Sequence, residues 1–235
     1  MKRAIALVSE SAPISSGFES EFEVIRLPAD DMIDIPVASH PDMICTIIGD
    51  NIIFPRHYAE KYCRVVTQIS ILSGYNIVLS HAQRDKVYPM DVSFNTAVIE
   101  DSVKSKILLC RKESTAEEIL EFADRYGMTV LNTKQGYAGC SCLVCGEHVY
   151  TSDVGINKLL TQFGIKSTYI EESITLEGYN CGFIGGCGGY FDGKAYIYGK
   201  IHGRTLSCET VCLTPGALTD YGGIKFIPFA DNYNK

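Results

Sequence analysis

Three cysteines and a histidine crowd the stretch KQGYAGCSCLVCGEHVYTSD (134–153), where Cys140, Cys142 and Cys145 fall within six positions and His148 follows three residues later. Thiolate and imidazole together suit zinc, a thiolate is also a nucleophile, and free cysteine is among the most buried residue types. Spacing separates these uses. On a strand side chains alternate, so Cys140 and Cys142 share one face while Cys145 takes the other, and His148 lies past a turn on the returning strand. Four ligands so arranged do not converge on one ion, so no metal is expected, and Cys142 and Cys145 are read as buried. Cys140 directly follows GYAG at the start of its strand and is the candidate nucleophile. Gly136 and Gly139 permit close approach of a ligand to the backbone, and Lys134 is the cation near in sequence that would lower a thiol pKa. A half-buried structural cysteine is the alternative reading.

Other polar residues stand at comparable positions. In ASHPDMIC, His40 and Asp42 are two residues apart and share a face if the segment is extended, and Pro41 disfavours a helix for His40. In YPMDVSFN, Asp91 and Asn95 are read on one face as possible substrate contacts, although a turn-capping role for Asp91 fits the same pattern. Asp153 in TSDVGI reads as a helix N-cap. Asp220 in LTDYGG is a further carboxylate. The glycine-rich run GGCGGYFDG leads into a hairpin at Asp192-Gly193 rather than a helix, so it reads as tight packing and not as a phosphate loop.

These residues need a scaffold, and repetition supplies it. MICTIIGDNIIFP reads strand, turn at Gly49-Asp50, strand, and YFDGKAYIYG reads likewise around Asp192-Gly193. CLVCGEHVYTS turns at Gly146-Glu147, and FNTAVIEDSVKSKILLC turns near Glu100-Asp101. Turn positions 49, 100, 146 and 192 are separated by 51, 46 and 46 residues. A helix follows each of the first three hairpins. Residues 55–74 carry an apolar stripe ended by Gly74; residues 114–127 open on a Ser114/Glu117 capping box and end at Gly127; residues 152–164 start at Ser152 or Asp153 and end at Gly164. The short strands YNIVLS, MTVLN and IKSTYI come next. The N-terminus reads strand, short helix, strand, as a unit lacking its first strand. After the fourth hairpin, RTLSCETVCLTPGAL reads as a poor helix broken by Pro215, and IKFIPF as a final strand. Five hairpin-helix-strand units without a linker predict a single domain over 1–235.

Composition bounds the function. With 235 residues and 46% hydrophobic content, the chain can bury a sizeable core. Its 21 basic and 28 acidic residues give a net charge of −7 with no basic run, so nucleic acid is not an expected partner. The apolar run AIALV ends at Ser9-Glu10, short of the ~7–15 residues of a signal-peptide core, and no stretch reaches the ~20 residues of a membrane span. A cytoplasmic setting with most of the ten cysteines reduced is therefore expected.

Five such units in this length resemble the pentein fold, a five-bladed α/β propeller around a central channel. The segments ASHPDM, KQGYAGCS, EGYNCGFIGG and LTDYGGI are similar to a bacterial family of unknown function within that fold. Penteins include guanidino-group-modifying enzymes and a ribosome anti-association factor that only binds. The resemblance implies that the starts of the first hairpin strands line the channel. His-x-Asp resembles the arginine deiminase signature, which would make His40 the proton shuttle and Asp42 the carboxylate gripping a guanidinium. The resemblance implies a nucleophile in the last unit, so Cys181 is the alternative to Cys140. Asp91, Asn95 and Asp220 would contact substrate. Two functions follow as expectations: a cysteine-dependent hydrolase or transferase of a small guanidino or amidino compound, or a non-catalytic pentein binding a metabolite in its channel or a protein partner. No cofactor is implied, and the sequence does not specify an oligomeric state.

Overall fold

Glycines with positive φ turn the hairpins. Gly49 (φ 58°) and Gly146 (φ 61°) each stand first in a two-residue loop, and Asp192-Gly193 (φ 49° and 81°) forms another, as the twist of paired strands requires. A computed structural model describes residues 2–100, 106–202 and 205–229. The chain begins with β1 (Ala4–Ser9), α1 (Ser16–Glu21) and β2 (Glu23–Leu27). Next come α2 (Pro41–Ile44), β3 (Thr46–Ile48), β4 (Asn51–Pro55), α3 (Arg56–Lys61), α4 (Cys63–Ser73) and β5 (Asn76–Ser80). The third unit holds β6 (Ala97–Glu100), β7 (Lys106–Cys110), α5 (Glu117–Arg125) and β8 (Thr129–Asn132), and the fourth β9 (Cys142–Cys145), β10 (His148–Thr151), α6 (Val154–Gln162) and β11 (Lys166–Tyr169). Last are β12 (Gly188–Phe191), β13 (Lys194–Lys200), β14 (Glu209–Ala217) and β15 (Ile224–Pro228).

These strands make five three-stranded sheets of one pattern, an antiparallel pair extended by a parallel third strand. The result is a mixed α/β fold of repeated units. In the first sheet β15 pairs antiparallel with β1, Ala4 opposite Pro228, and β2 runs parallel to β1. The final strand IKFIPF thus supplies the strand that the N-terminal unit lacks.

Several local expectations are corrected. Within RTLSCETVCLTPGAL, Glu209–Ala217 is no helix: β14 runs parallel to β13 at the edge of its sheet, with register shifts, and an edge strand tolerates Pro215 because one side of its backbone needs no ladder. The helix expected over 55–74 breaks at Tyr62 (φ −110°, ψ 38°). Ser114 is not a cap; Ala116 stands before α5 and Ser114 Oγ instead donates to the Arg111 carbonyl at 3.3 Å. His40 is extended (φ −67°, ψ 124°), but Pro41 starts the single turn α2, so Asp42 lies on a helical turn rather than two steps along a strand. Asp153 caps α6, accepting the Ile156 N–H at 2.7 Å. The second hairpin pairs Glu100 with Lys106; its expected turn at Glu100-Asp101 runs into residues 101–105, outside the described residues.

Apolar faces meet between neighbouring sheets. Ile5 and Leu7 of β1, Ile52 and Phe54 of β4, Tyr58 of α3, Ile69 of α4 and Ile227 of β15 form one cluster with no exposed surface. Each such side chain stabilises the fold by about 1.5–3 kcal/mol on burial. A cavity of about 250 Å³ is bordered by one strand from every sheet, through Thr46, Ala97, Leu143, Gly189 and Lys225. Among the described residues no helix is long and apolar enough to cross a membrane.

Candidate functional site

The segments leading into β3, β6, β9, β12 and β15 carry most of the residues singled out from sequence, and several of them meet. His40 is buried, and its Nδ1 stands 3.8 Å from Asp220 Oδ1, too far for a hydrogen bond, with no other partner among the described residues. Glycines make this approach possible. A Cβ at Gly222 (φ 96°) would lie 2.6 Å from the His40 ring, and one at Gly186 would lie 1.8 Å from Asp220 Oδ1. The Asp220 carboxylate accepts N–H groups from Phe183 (2.9 Å) and Gly222 (3.0 Å).

Burial shifts both groups toward neutrality. It lowers the His40 pKa to about 4, against the opposing influence of the Asp42 charge and a hydrogen bond at the Pro36 backbone. It raises Asp220 to about 7, although its two N–H donors pull the other way; the Asp42 charge adds to the rise.

Asp42 is ion-paired. Lys225 Nζ stands 3.0 Å from its Oδ1 and donates to the Cys45 carbonyl at 2.8 Å. Burial alone would lower the Lys225 pKa, but Asp42 and then Cys45 outweigh it and the net shift is upward. Asp42 and Lys225 both line the cavity.

Cys140 is buried and free. Its N–H donates to Asn95 Oδ1 at 3.1 Å, and the Asn95 amide donates back to Sγ at 2.9 Å. Burial first, then the charges of Asp42 and Asp220, hold the thiol well above its ordinary range, while Asn95 and Lys225 act weakly the other way. Two expectations change here. Lys134 is exposed, and Lys225 is the cation that Cys140 feels. The space beside Gly139 and Gly136 is filled by the chain itself: Thr96 O, Asn95 and Asp42 crowd the first, Val92 and Tyr88 the second.

The remaining candidates disperse. Asp91 lies in the helical turn Met90–Val92 and has partners other than those of Asn95. Tyr137 OH donates to Asp91 Oδ2 at 2.5 Å, the Asp91 carbonyl accepts from Arg84 at 2.7 Å, and Asp91 Oδ1 is buried without a partner among the described residues. Burial raises its pKa despite the Tyr137 hydrogen bond. Tyr137 is stacked between Tyr88 and Phe183, and Phe183 joins Met43, Val92, Cys140 and Leu176 in one apolar cluster. Cys181 is exposed, and Cys187 is buried with its thiol raised by burial and by Asp220. The cysteine-rich hairpin sends its thiols apart: Cys140, Cys142 and Cys145 enter three different clusters, and His148 Nε2 meets Thr168 Oγ1 at 2.8 Å. Among the described residues no three His, Cys, Asp or Glu side chains form a metal site.

Sequence reasoning missed Lys225, Tyr137 and Arg84. Lys225 had a signal, a lone charge within the apolar strand IKFIPF, which at a buried position calls for a partner. Arg84 had none: it sits in a loop, and its burial against Asp30 at 3.0 Å depends on residues 54 positions away.

No curated protein matches the chain. Residues 14–225 match the pattern of a family of unknown function, DUF6873, and with nearly its whole length covered the chain belongs to that family.

Proposed function

We propose that this chain is a pentein-like five-bladed propeller whose channel mouth, beside Asp42 and Asp220, binds a small cationic compound of the amidino or guanidino class. What supports the propeller is the cavity bordered by one strand from each of five like sheets. The observation that carries the ligand class is charge: Asp42 on the cavity lining and Asp220, buried off it, set two carboxylates against one ammonium, Lys225. A planar cation suits a carboxylate of this kind through paired hydrogen bonds. Because Asp220 is raised to about 7, a cation beside it draws off its proton on binding. Binding without turnover is the better-supported activity, because burial first, and then the charges of Asp42 and Asp220, keep Cys140 a thiol.

A second reading, a cysteine-dependent hydrolase or transferase, is favoured by Cys140 and His40 feeling the same Asp42 carboxylate. There the Cys140 Sγ–C bond forms as a C–N bond of the ligand breaks. His40 passes the thiol proton to the departing amine, and water or an acceptor amine releases the product.

One titration separates the two. Native protein is titrated calorimetrically near pH 7 with methylguanidinium and acetamidinium in two buffers of different ionisation heat, and the mixtures are assayed for ammonia and amine. Saturable binding with proton release, weakened by about tenfold or more in Asp220→Asn, and without product, is expected. Product that disappears in Cys140→Ser establishes the hydrolase instead. Absence of both binding and product overturns both.

A further inference from the structure

Helix α3 and the segment after β5 border a second cleft, of about 650 Å³. Its lining gathers Arg56, His57 and Lys61 from the helix with His81 and Arg84 from the segment. On a chain with 28 acidic and 21 basic residues and five histidines, three basic side chains and two histidines at one cleft are a local excess. Against them the lining sets only Asp31 and Glu60, in ion pairs with Lys61 (2.9 Å) and Arg56 (3.5 Å) whose side chains are largely exposed. Exposed pairs of this kind exchange readily for a stronger partner.

The groups are held from behind. His57 Nε2 lies 2.9 Å from the carboxylate of Asp30, which also pairs with Arg84 at 3.0 Å. Asp30 and Arg84 are 1% and 5% exposed. Arg84 further donates to the carbonyls of Met43 and Asp91, at 2.8 and 2.7 Å, so its position is fixed. The Asp30 carboxylate accepts from Nε2–H and orients the His57 imidazole; Nδ1, without a hydrogen-bond partner among the described residues, donates to an anion in the imidazolium form. Arg56 Nη2 stands 3.0 Å from His81 Nε2. A guanidinium can only donate, so His81 Nε2 accepts and its proton is on Nδ1. The Nε–H groups of Arg56 and Arg84 find no acceptor among the described residues. Arg56, Lys61 and Arg84 set three cations at this cleft against the two carboxylates of its lining, an excess that an oxyanion offsets.

We infer that this cleft is a binding site for a phosphate monoester, its phosphate held by Arg56, His57 and Lys61 with His81 beside them. A tetrahedral dianion accepts from donors in several directions at once, as the guanidinium, the ammonium and two imidazoles here require. The cleft exceeds a bare phosphate in size, and Met32 and Ala82 on its lining offer apolar surface to an ester group. None of this depends on the reading of the channel mouth.

The test is calorimetric titration of the whole protein with inorganic phosphate, phenyl phosphate and acetate at constant ionic strength. Phenyl phosphate should bind saturably at one site, inorganic phosphate equally or more weakly, and acetate not measurably. Arg56→Gln and His57→Gln should each weaken phosphate binding by about tenfold or more, and Lys158→Gln, at a different cleft, should leave it unchanged. Gln at 57 retains an N–H for Asp30, and far-UV circular dichroism verifies that each variant is folded. A measurement on the unaltered protein stands beside these. Phosphate should shift the ring resonances of His57 and His81 and leave those of His40, His148 and His202 in place. Binding that does not saturate, that is insensitive to both variants, or that shifts all five histidines alike overturns the assignment.

Discussion

A thiol placed between the Asn95 amide and the carboxylates of Asp42 and Asp220 gives up its proton reluctantly, because a thiolate there would be both desolvated and repelled. Limited alkylation of native protein near neutral pH should therefore label the exposed Cys63, Cys181 and Cys212 first, with Cys45, Cys140, Cys142 and Cys187 at least about tenfold slower. Mass mapping of the labelled sites checks this, and labelling of Cys140 as fast as Cys181 would contradict the environment described. The buried pair beside it has a signature in stability. Asp220, raised from 3.8 to about 7, holds its proton preferentially when folded, so its contribution falls as pH rises through that window. His40, lowered from 6.5 to about 4, is neutral when folded, so its contribution rises with pH between those values. The two slopes oppose each other between about 4 and 6.5. Asp220→Asn should leave the rising slope uncovered and His40→Gln the falling one, each read from urea midpoints stepped across pH of about 4 to 8. Variants whose slopes match the parent would show that neither group titrates differently on folding.

Helix and hairpin boundaries follow from local chemistry wherever a side chain satisfies a backbone group next to it in sequence. Asp153→Ala removes the acceptor of the Ile156 N–H and should cost about 1 kcal/mol in denaturant titration. Ser114→Ala should stay within about 0.5 kcal/mol, because Ser114 caps nothing. Equal losses for the two would mean that the start of α5 has been misplaced. Gly74, Gly127 and Gly164, all at positive φ, end their helices as their spacing predicts. The segment over β14 deceived for a physical reason: Pro215 and Gly216 argue against a strand interior but not against an edge, and edge position is set by strands elsewhere in the sequence. ASHPDM deceived in the reverse sense. Proline keeps the residue before it extended, yet also starts a helical turn, and the turn claimed Asp42.

At the scale of the molecule, β15 joins the last residues of the fold to the first. Ile227, fully buried between β1 and the cluster around Phe54 and Tyr58, should cost about 2–5 kcal/mol when replaced by Ala. The pairing also predicts that a permuted chain starting at Thr219, with residue 235 joined to residue 1, folds cooperatively with an unchanged far-UV spectrum. β15 and β1 then become an ordinary hairpin like the other four. Loss of cooperative unfolding in that permutant would mean that β15 is not the missing strand of the first unit. The sequence by itself determined the repeat, since two-residue glycine turns, helix-ending glycines and apolar periodicity act over a few residues and are written where they act. It also singled out His40, Asp42, Asn95, Cys140 and Asp220 among its candidate site residues. Only the tertiary structure decided that IKFIPF completes the N-terminal sheet, that Lys225 reaches Asp42, and that Cys140 is kept a thiol. Strand partners, the ion pair of Lys225 with Asp42 and the desolvation of a buried group depend on what the folded chain brings alongside, and no local pattern carries that information.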